Sequence, residues 1–332
     1  MLSDKLNDIR NNMTELKNER KSELNSELKY EIRNKLKNNL NTLNMFRAIR
    51  CMSFNVRLDT PADKLNSWPY RKELAASMLQ FHHVDIAGLQ EVLINQLNDL
   101  SKFLPEYGWI GAGRDDGAEK GEFTPIFYLR ERLELMGHGT FWLSETPEKP
   151  GSRGWDAICR RTVTWGEFKD RLTDKVFYYF NTHFDHFGRV ARVQSAYLLL
   201  QKIISIACSN PVIVTGDFNC TINSEAYQLL AGKIHNRFGL EPLRDSRYES
   251  ERGHHGPSIT FHDFKATSIF KLAKKLKDLR KAPASIEWEM GIDFIFVKNS
   301  VKVIQHGVLS DTWNGRYPSD HMPVVADLIL GN

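Results

Sequence analysis

The 332-residue chain contains no run of 18 apolar residues, so no helical membrane span is expected. Its N-terminus is polar from residue 3 onward, and a secretory signal peptide is not expected either. Cysteine is scarce. Cys51, Cys159, Cys208 and Cys220 form no Cys-x-x-Cys pair and no zinc-ligand spacing. They read as reduced thiols, and a cytoplasmic location is the expectation. An excess of one charge is also missing from most of the chain. The net charge of +4 resides in residues 1–50, which hold 11 Lys/Arg and 7 Asp/Glu, while the rest holds 34 of each sign. A neutral body lacks the footprint of a generic nucleic-acid binder. Present in quantity are apolar residues, 41% of the chain with 7 Trp and 19 Phe, enough for a substantial core. The length suits one large domain or two small ones.

Residues 1–46 form a zone of their own, without Pro or Gly. Apolar residues fall at Leu2, Leu6, Ile9, Met13 and Leu16, then at Leu24, Leu28, Ile32, Leu36 and Leu40. This spacing predicts a long amphipathic helix or a helical hairpin. Such a helix either packs on the main domain, projects into solvent, or serves as an arm for a protein partner. The change from alternating steps of four and three to steps of four weakens a straight coiled coil.

From residue 47 the texture becomes short strands alternating with helices. "AIRCMSFNVRL", "VDIAGLQEV", "PIFYL", "KVFYYFNTHF", "PVIVTGDFN" and "GIDFIFVKN" read as strands, and "MPVVADL" as another near the end. "RKELAASMLQFH" and "RVARVQSAYLLLQKIISIAC" read as helices. Polar residues cluster at the strand ends: Asn55, Glu91, His183, Asp217 and Asn219. The pattern implies a layered α/β domain over residues 47–332 with a site on the strand-end rim.

Asp217 and Asn219 are two apart, so in extended chain both face one side. Asp293 in "GIDFIF" and Asp320-His321 in "SDH" add two carboxylates and an imidazole. An oxygen-rich, cysteine-poor donor set suits Mg²⁺ or Mn²⁺ rather than structural zinc. Phosphoester hydrolysis uses such a set: a cation and donors hold the phosphoryl charge while a base handles water. Each piece alone has an ordinary reading. "GDFN" could be a helix-capping turn, and a His in "THFDHF" could be a rim residue.

The ordered set "SFNVR", "LQEV", "NTHFDH", "GDFN", "GIDFIF" and "SDHMPV" resembles the endonuclease/exonuclease/phosphatase superfamily over about residues 48–330. "GEFTPIFY", "GTFWLSETPEKPGSRGWD", "TFHDF" and "DTWNGRYPSDH" resemble a bacterial-type subgroup of it. The resemblance implies a four-layered α/β sandwich, two β-sheets face to face with helices outside, preceded here by the added N-terminal helical segment. It implies Glu91 as principal Mg²⁺ (or Mn²⁺) ligand, with Asn55 beside it and Asp320 completing the shell. Asp217 would orient or activate water, or protonate the leaving oxygen. Asn219 would hold the water or a phosphoryl oxygen. His183 would donate to the phosphate. His321 would contact the phosphate or act as base, oriented by Asp293. Glu122 and His262 would line the substrate pocket. Arg57 stands where abasic-site nucleases carry Asp; it would bind phosphate or pair with Asp59, which puts a second metal position in doubt.

Residues 265–291 interrupt the subgroup's pattern. Within them, 265–281 hold seven bases and one acid, with apolar residues near helical spacing. A basic amphipathic helix there would contact an anionic surface, or pack on the body with solvated lysines. The expected function is a metal-dependent phosphoesterase, with a nuclease or nucleotide phosphodiesterase placed first. A phosphatase or phospholipase C-like enzyme acting on inositol phosphates, sphingomyelin or another small phosphoester is the alternative. A non-catalytic scaffold working through residues 1–46 is the reading from a different class.

Overall fold

Apolar runs with β-branched and aromatic side chains make strands that alternate between two cores. In β1 (Ile49–Asn55), Ile49 and Cys51 face one core while Met52 and Phe54 face another. In β8 (Val212–Asp217) and β11 (Asp293–Lys298), Ile213, Ile295 and Val297 share the first core with Ile49, whereas Val212, Val214, Phe294 and Phe296 enter a third. Strands buried on both faces read as continuous apolar runs, which is why they stand out in the sequence. The computed structural model describes residues 47–235, 238–264 and 291–331. The N-terminal helical segment and the basic stretch expected from the sequence lie outside the described residues. Ala48–Asn332 forms a compact unit of its own.

Two mixed sheets stack face to face. The first joins β1 to β2 (Ile86–Gln90), β3 (Tyr107–Ile110), β4 (Ile126–Leu129), β10 (His254–His255), β12 (Val301–Val308) and β13 (Val324–Leu330), in the order β10-β12-β13-β1-β2-β4-β3. The second joins β8 and β11 to β5 (Leu133–Trp142), β6 (Thr162–Asp170), β7 (Val176–His183) and β9 (Arg244–Asp245), in the order β5-β6-β7-β8-β11-β9. The shared core between them contains Cys51, Ile86, Phe168, Tyr179, Ile213 and Ile295. Helices α1 (Lys72–Phe81) and α2 (Ile94–Phe103) cover the first sheet through Met78, Leu79, Leu97 and Leu100. Helices α3 (Arg189–Ala207) and α4 (Glu225–Leu230) cover the second through Leu199, Leu200, Ile203 and Leu230. The result is the four-layered sandwich. No helix among the described residues is long and apolar enough to cross a membrane.

A polar cluster bridges the two sheets. Gln90 Nε2 donates to Asn181 Oδ1 at 2.7 Å, and Asn181 Nδ2 donates to the carbonyls of Leu89 (2.7 Å) and Pro125 (3.0 Å). Thr215 Oγ1 lies 3.1 Å from Asn181 Oδ1, and Tyr179 Oη donates to Met52 O. These side chains are buried and, Gln90 Oε1 apart, hydrogen-bonded, so they fix how the sheets meet. Gly88 makes the close approach feasible, since a Cβ there would collide with Thr215 and Asn181.

Candidate active site

The central strand pairs β1–β2 and β7–β8 are parallel, and their C-terminal ends meet on one rim. Asn55 and His183 are the last residues of β1 and β7, Asp217 is the last of β8, and Glu91 follows β2 directly. Asp293 begins β11. Register places His183 and Asp293 on either side of Asp217. The loop before β13 brings Asp320 and His321 to the same rim. Glu91 and Asn219 both adopt left-handed backbone, with φ of 61° and 47°. That conformation is uncommon outside glycine and persists where surrounding contacts hold it.

Asn55 is the hub. Its Nδ2 donates to Glu91 Oε1 at 3.0 Å and to Asp217 Oδ2 at 2.9 Å, and its Oδ1 accepts from the Arg57 amide. Glu91 Oε2 accepts from the Leu58 amide at 3.0 Å. Asp217 Oδ1 accepts from the Asn219 amide at 2.9 Å. Asn219 Nδ2 donates to Phe184 O and lies 3.0 Å from His183 Nε2. With Nε2 accepting, the His183 proton sits on Nδ1, which faces Glu122 Oε2 at 3.9 Å. His321 Nδ1 lies 2.9 Å from Asp293 Oδ2, and its Nε2 lies 3.8 Å from Asp217 Oδ2. All the sequence-expected catalytic residues are thus gathered in one place.

Electrostatics separates the titratable groups into different states. Burial, then the nearby Asp293 charge, push Asp217 up to about 7. Burial opposes a charged His321, but Asp293, through charge and hydrogen bond, outweighs it with help from Asp217 and Asp320, and lifts the imidazole. Burial, followed by the Arg161 and Arg114 charges, holds His183 well below the usual range, so it is neutral. Burial opposes ionisation of Glu91, yet the His321 charge and the Asn55 and Leu58 hydrogen bonds keep its carboxyl below the ordinary value.

The donor set fits a hard divalent cation. Glu91, Asp217 and His321 form a three-residue group, one polar atom of each lying within 4.8 Å of the others. The two carboxylates can hold a cation and Glu91 is ionised, while His321, protonated beside Asp293, contributes charge rather than a ligand atom. Asn55 and Asp320 would add neutral and anionic oxygens, and no cysteine intrudes. Asp320 is not in the three-residue group; its carboxylate lies 3.7 Å from Arg57 Nε.

The expected Arg57–Asp59 ion pair does not form. Arg57 instead grips Asp63 through two hydrogen bonds of 3.0 and 3.1 Å, while Asp59 accepts from Asn95 Nδ2. The left-handed turn at Arg57 (φ 57°) throws its side chain toward the segment that follows. Glu122 is bound by Arg114 Nη1 at 2.6 Å, with Arg161 Nη1 at 3.8 Å. The His262 ring packs against Tyr317 at 4.3 Å between ring centres, tilted by 47°, and its backbone amide donates to Asp320 O. Burial, then the His321 charge, pull His262 down to about 4.

Sequence reasoning passed over Arg71, Gln90, Arg161 and Asn181. Gln90 and Asn181 lie within "LQEV" and "NTHFDH", where the strand-end Glu91 and His183 drew the reading, and Arg71 and Arg161 belong to no motif. Arg71 was read simply as the first residue of a helix. It is 2% exposed and sits just before α1.

Residues 52–321 match the family model described as "Endonuclease/Exonuclease/phosphatase family". The chain belongs to this family. The family protein from Bacteroides vulgatus has a similar solved structure, with 42% identity, a TM-score of 0.74, and coverage of 86% of this chain and 99% of that one. A mannosyl-6-phosphatase from Bacteroides thetaiotaomicron is 36% identical at a TM-score of 0.72, over 85% of this chain and 99% of its own. Among curated proteins, the uncharacterised protein L388 of Acanthamoeba polyphaga mimivirus is 28% identical over 186 residues, 53% of this chain and 65% of that protein. The chain therefore spans less than two thirds of this relative.

Proposed function

We propose that the chain is a divalent-metal-dependent phosphoesterase that hydrolyses its substrate by in-line attack of water on phosphorus. The observation that carries this reading is the convergence on one rim of Asn55, Glu91, Asp217 and Asn219, joined by hydrogen bonds through Asn55 and Asp217, with the Asp293–His321 pair 3.8 Å from Asp217. A Mg²⁺ or Mn²⁺ held by Glu91, with Asn55 and Asp320, would neutralise charge on the phosphoryl oxygens. Asp217 orients the attacking water and accepts its proton, a role suited to a carboxylate whose pKa is raised toward neutrality. His321, kept cationic by Asp293, donates to the phosphoryl oxygens as negative charge develops, while Asn219, its N–H groups taken by Phe184 O, His183 Nε2 and Asp217 Oδ1, holds the attacking water through its Oδ1. His183 is neutral with Nε2 turned to Asn219, so its part is to hold that amide rather than to donate to the phosphate itself. Glu122, Arg57 and His262 border the substrate position.

Two substrate classes fit this chemistry. A nuclease or nucleotide phosphodiesterase came first from the sequence. The Bacteroides sugar-phosphate phosphatase, similar over 99% of its length, supports a small phosphomonoester instead. The zero net charge of residues 51–332 agrees with that choice, because it is not the overall charge of a generic polyanion binder. Initial rates on mannose 6-phosphate, other sugar phosphates, nucleotides, inositol phosphates, sphingomyelin and oligonucleotides distinguish the two. A kcat/KM highest on a sugar phosphate supports the phosphomonoesterase; one highest on oligonucleotides restores the nuclease.

A further inference from the structure

Arg71 is an unusual cation. Its side chain is buried, and among the described residues it forms no ion pair. It spends its donors on five backbone carbonyls from three segments. Nε donates to Asn66 O at 2.8 Å. Nη1 donates to Val56 O, and to Pro318 O at 3.2 Å. Nη2 donates to Arg57 O at 2.6 Å and to Leu58 O at 3.4 Å. The guanidinium carbon lies 5.1 Å from the centre of the Trp68 ring and 5.8 Å from that of Phe264. Burying a guanidinium costs several kcal/mol unless every donor is matched, so such a residue calls for an account of what it does.

The peptide planes supply that account. In a trans peptide the C=O and the N–H of the next residue point in opposite directions. The Val56 carbonyl is turned to Arg71, and the same plane aims the Arg57 N–H at Asn55 Oδ1, 2.9 Å away. The Arg57 carbonyl is turned to Arg71, and that plane aims the Leu58 N–H at Glu91 Oε2, 3.0 Å away. Two successive peptide groups therefore have a guanidinium on one side and the two metal-side residues on the other. Charge on one side polarises these dipoles toward the other, which strengthens both amide donors. The Pro318 carbonyl brings in the loop of Ser319, whose Oγ donates to Asn55 O at 2.6 Å.

We propose that Arg71 is a positioning residue. Through the Val56–Arg57 and Arg57–Leu58 peptide planes and the Pro318 carbonyl, it pre-sets Asn55 and Glu91 for divalent-cation binding. This rests on the reading of Glu91 and Asn55 as the metal side of the site. Lysine retains the charge but cannot span five carbonyls, since its donors radiate from one nitrogen.

The test is Mn²⁺ binding by calorimetry on the full chain, for wild type, Arg71→Lys, Glu91→Gln and the double variant, alongside kcat and KM at saturating metal. Arg71→Lys is expected to weaken Mn²⁺ binding by about 10-fold or more, as loss of an outer-sphere partner does. Its kcat at saturating Mn²⁺ should stay within about threefold of wild type, since no reacting group is lost. In the Glu91→Gln background the same substitution should add less than in wild type, because the Leu58–Glu91 arm is already compromised and chiefly the Arg57–Asn55 arm remains to be lost. Wild-type Mn²⁺ affinity in Arg71→Lys, with only a lowered melting temperature, would make Arg71 a fold staple and overturn the proposal. Failure of wild type to bind Mn²⁺ would instead remove the metal reading beneath it. Should the variants not fold, amide hydrogen exchange on wild type decides. The Arg57 and Leu58 amides are expected to be protected before metal is added; protection that arises only with metal contradicts pre-setting.

Discussion

Asp217 and Asp293 lie opposite each other in the register of β8 and β11, and one imidazole serves both. His321 reaches Asp293 at 2.9 Å and Asp217 at 3.8 Å. Removing it leaves two buried carboxylates facing each other without a cation. His321→Gln should lower kcat by about 10²–10³, the usual cost of a lost transition-state donor. It should also destabilise the protein by about 3 kcal/mol at pH 8. The stability loss should shrink toward pH 5, where a proton can replace the missing positive charge. Turnover and urea unfolding at the two pH values check both halves.

The pH–rate profile separates the two roles open to Asp217. A base must be ionised, so the rate rises with pH through the Asp217 titration. Because burial and Asp293 push that group up to about 7, the rising limb should fall well above the ordinary carboxylate range. Asp217→Asn should erase the limb along with most activity. A rate that falls with pH through the same region would make Asp217 the acid to the leaving oxygen.

The polar bridge between the sheets is expected to matter for stability rather than chemistry. Asn181→Leu takes one acceptor from Gln90 Nε2, which keeps Gly88 O, and removes a buried donor from the carbonyls of Leu89 and Pro125. A loss of about 2–4 kcal/mol is expected. Chemical denaturation measures it, and a neutral result would mean that water fills the gap.

Acid stability should depend on a histidine pair remote from the rim. His254 Nδ1 and His306 Nδ1 are 3.0 Å apart, and burial, then the His254 charge, pull His306 down to about 3. A lowered folded-state value means the neutral form is the stable one. The contribution is complete above the unfolded value near 6.5 and is lost as pH falls toward 3. Between pH 7 and pH 5 the wild type should lose about 1–2 kcal/mol more than His306→Gln. Equal losses would count against it.

The rim was legible in the sequence because its residues end apolar runs. "SFN", "THF" and "GDF" each place a polar side chain where a doubly buried strand stops, and the strands themselves, β1, β2, β4, β7, β8 and β11, read as unbroken apolar stretches. Strands without that signature were missed. β5 carries Gly137, His138 and Gly139 along a half-exposed edge with a bulge, and β12 has a bulge after Val303 that breaks its alternation. Helix α2 is short and rich in Asn and Gln, so its apolar periodicity is weak. Arg71 was hidden for another reason. Its role lies in which carbonyls it reaches, and carbonyl directions leave no trace in side-chain spacing. The Arg57 partner was misjudged because a left-handed turn redirects the side chain to Asp63.

The decisive experiment is hydrolysis of p-nitrophenyl phosphate and bis-p-nitrophenyl phosphate by wild type and Asp217→Ala, with Mg²⁺, with EDTA, and with Mg²⁺ restored. The expected result is turnover of at least one ester by wild type with Mg²⁺, its loss in EDTA, its return with Mg²⁺, and near-abolition in a folded Asp217→Ala. Undiminished turnover in Asp217→Ala, or no turnover of these esters or of the wider phosphoester panel, would contradict a phosphoesterase site on this rim.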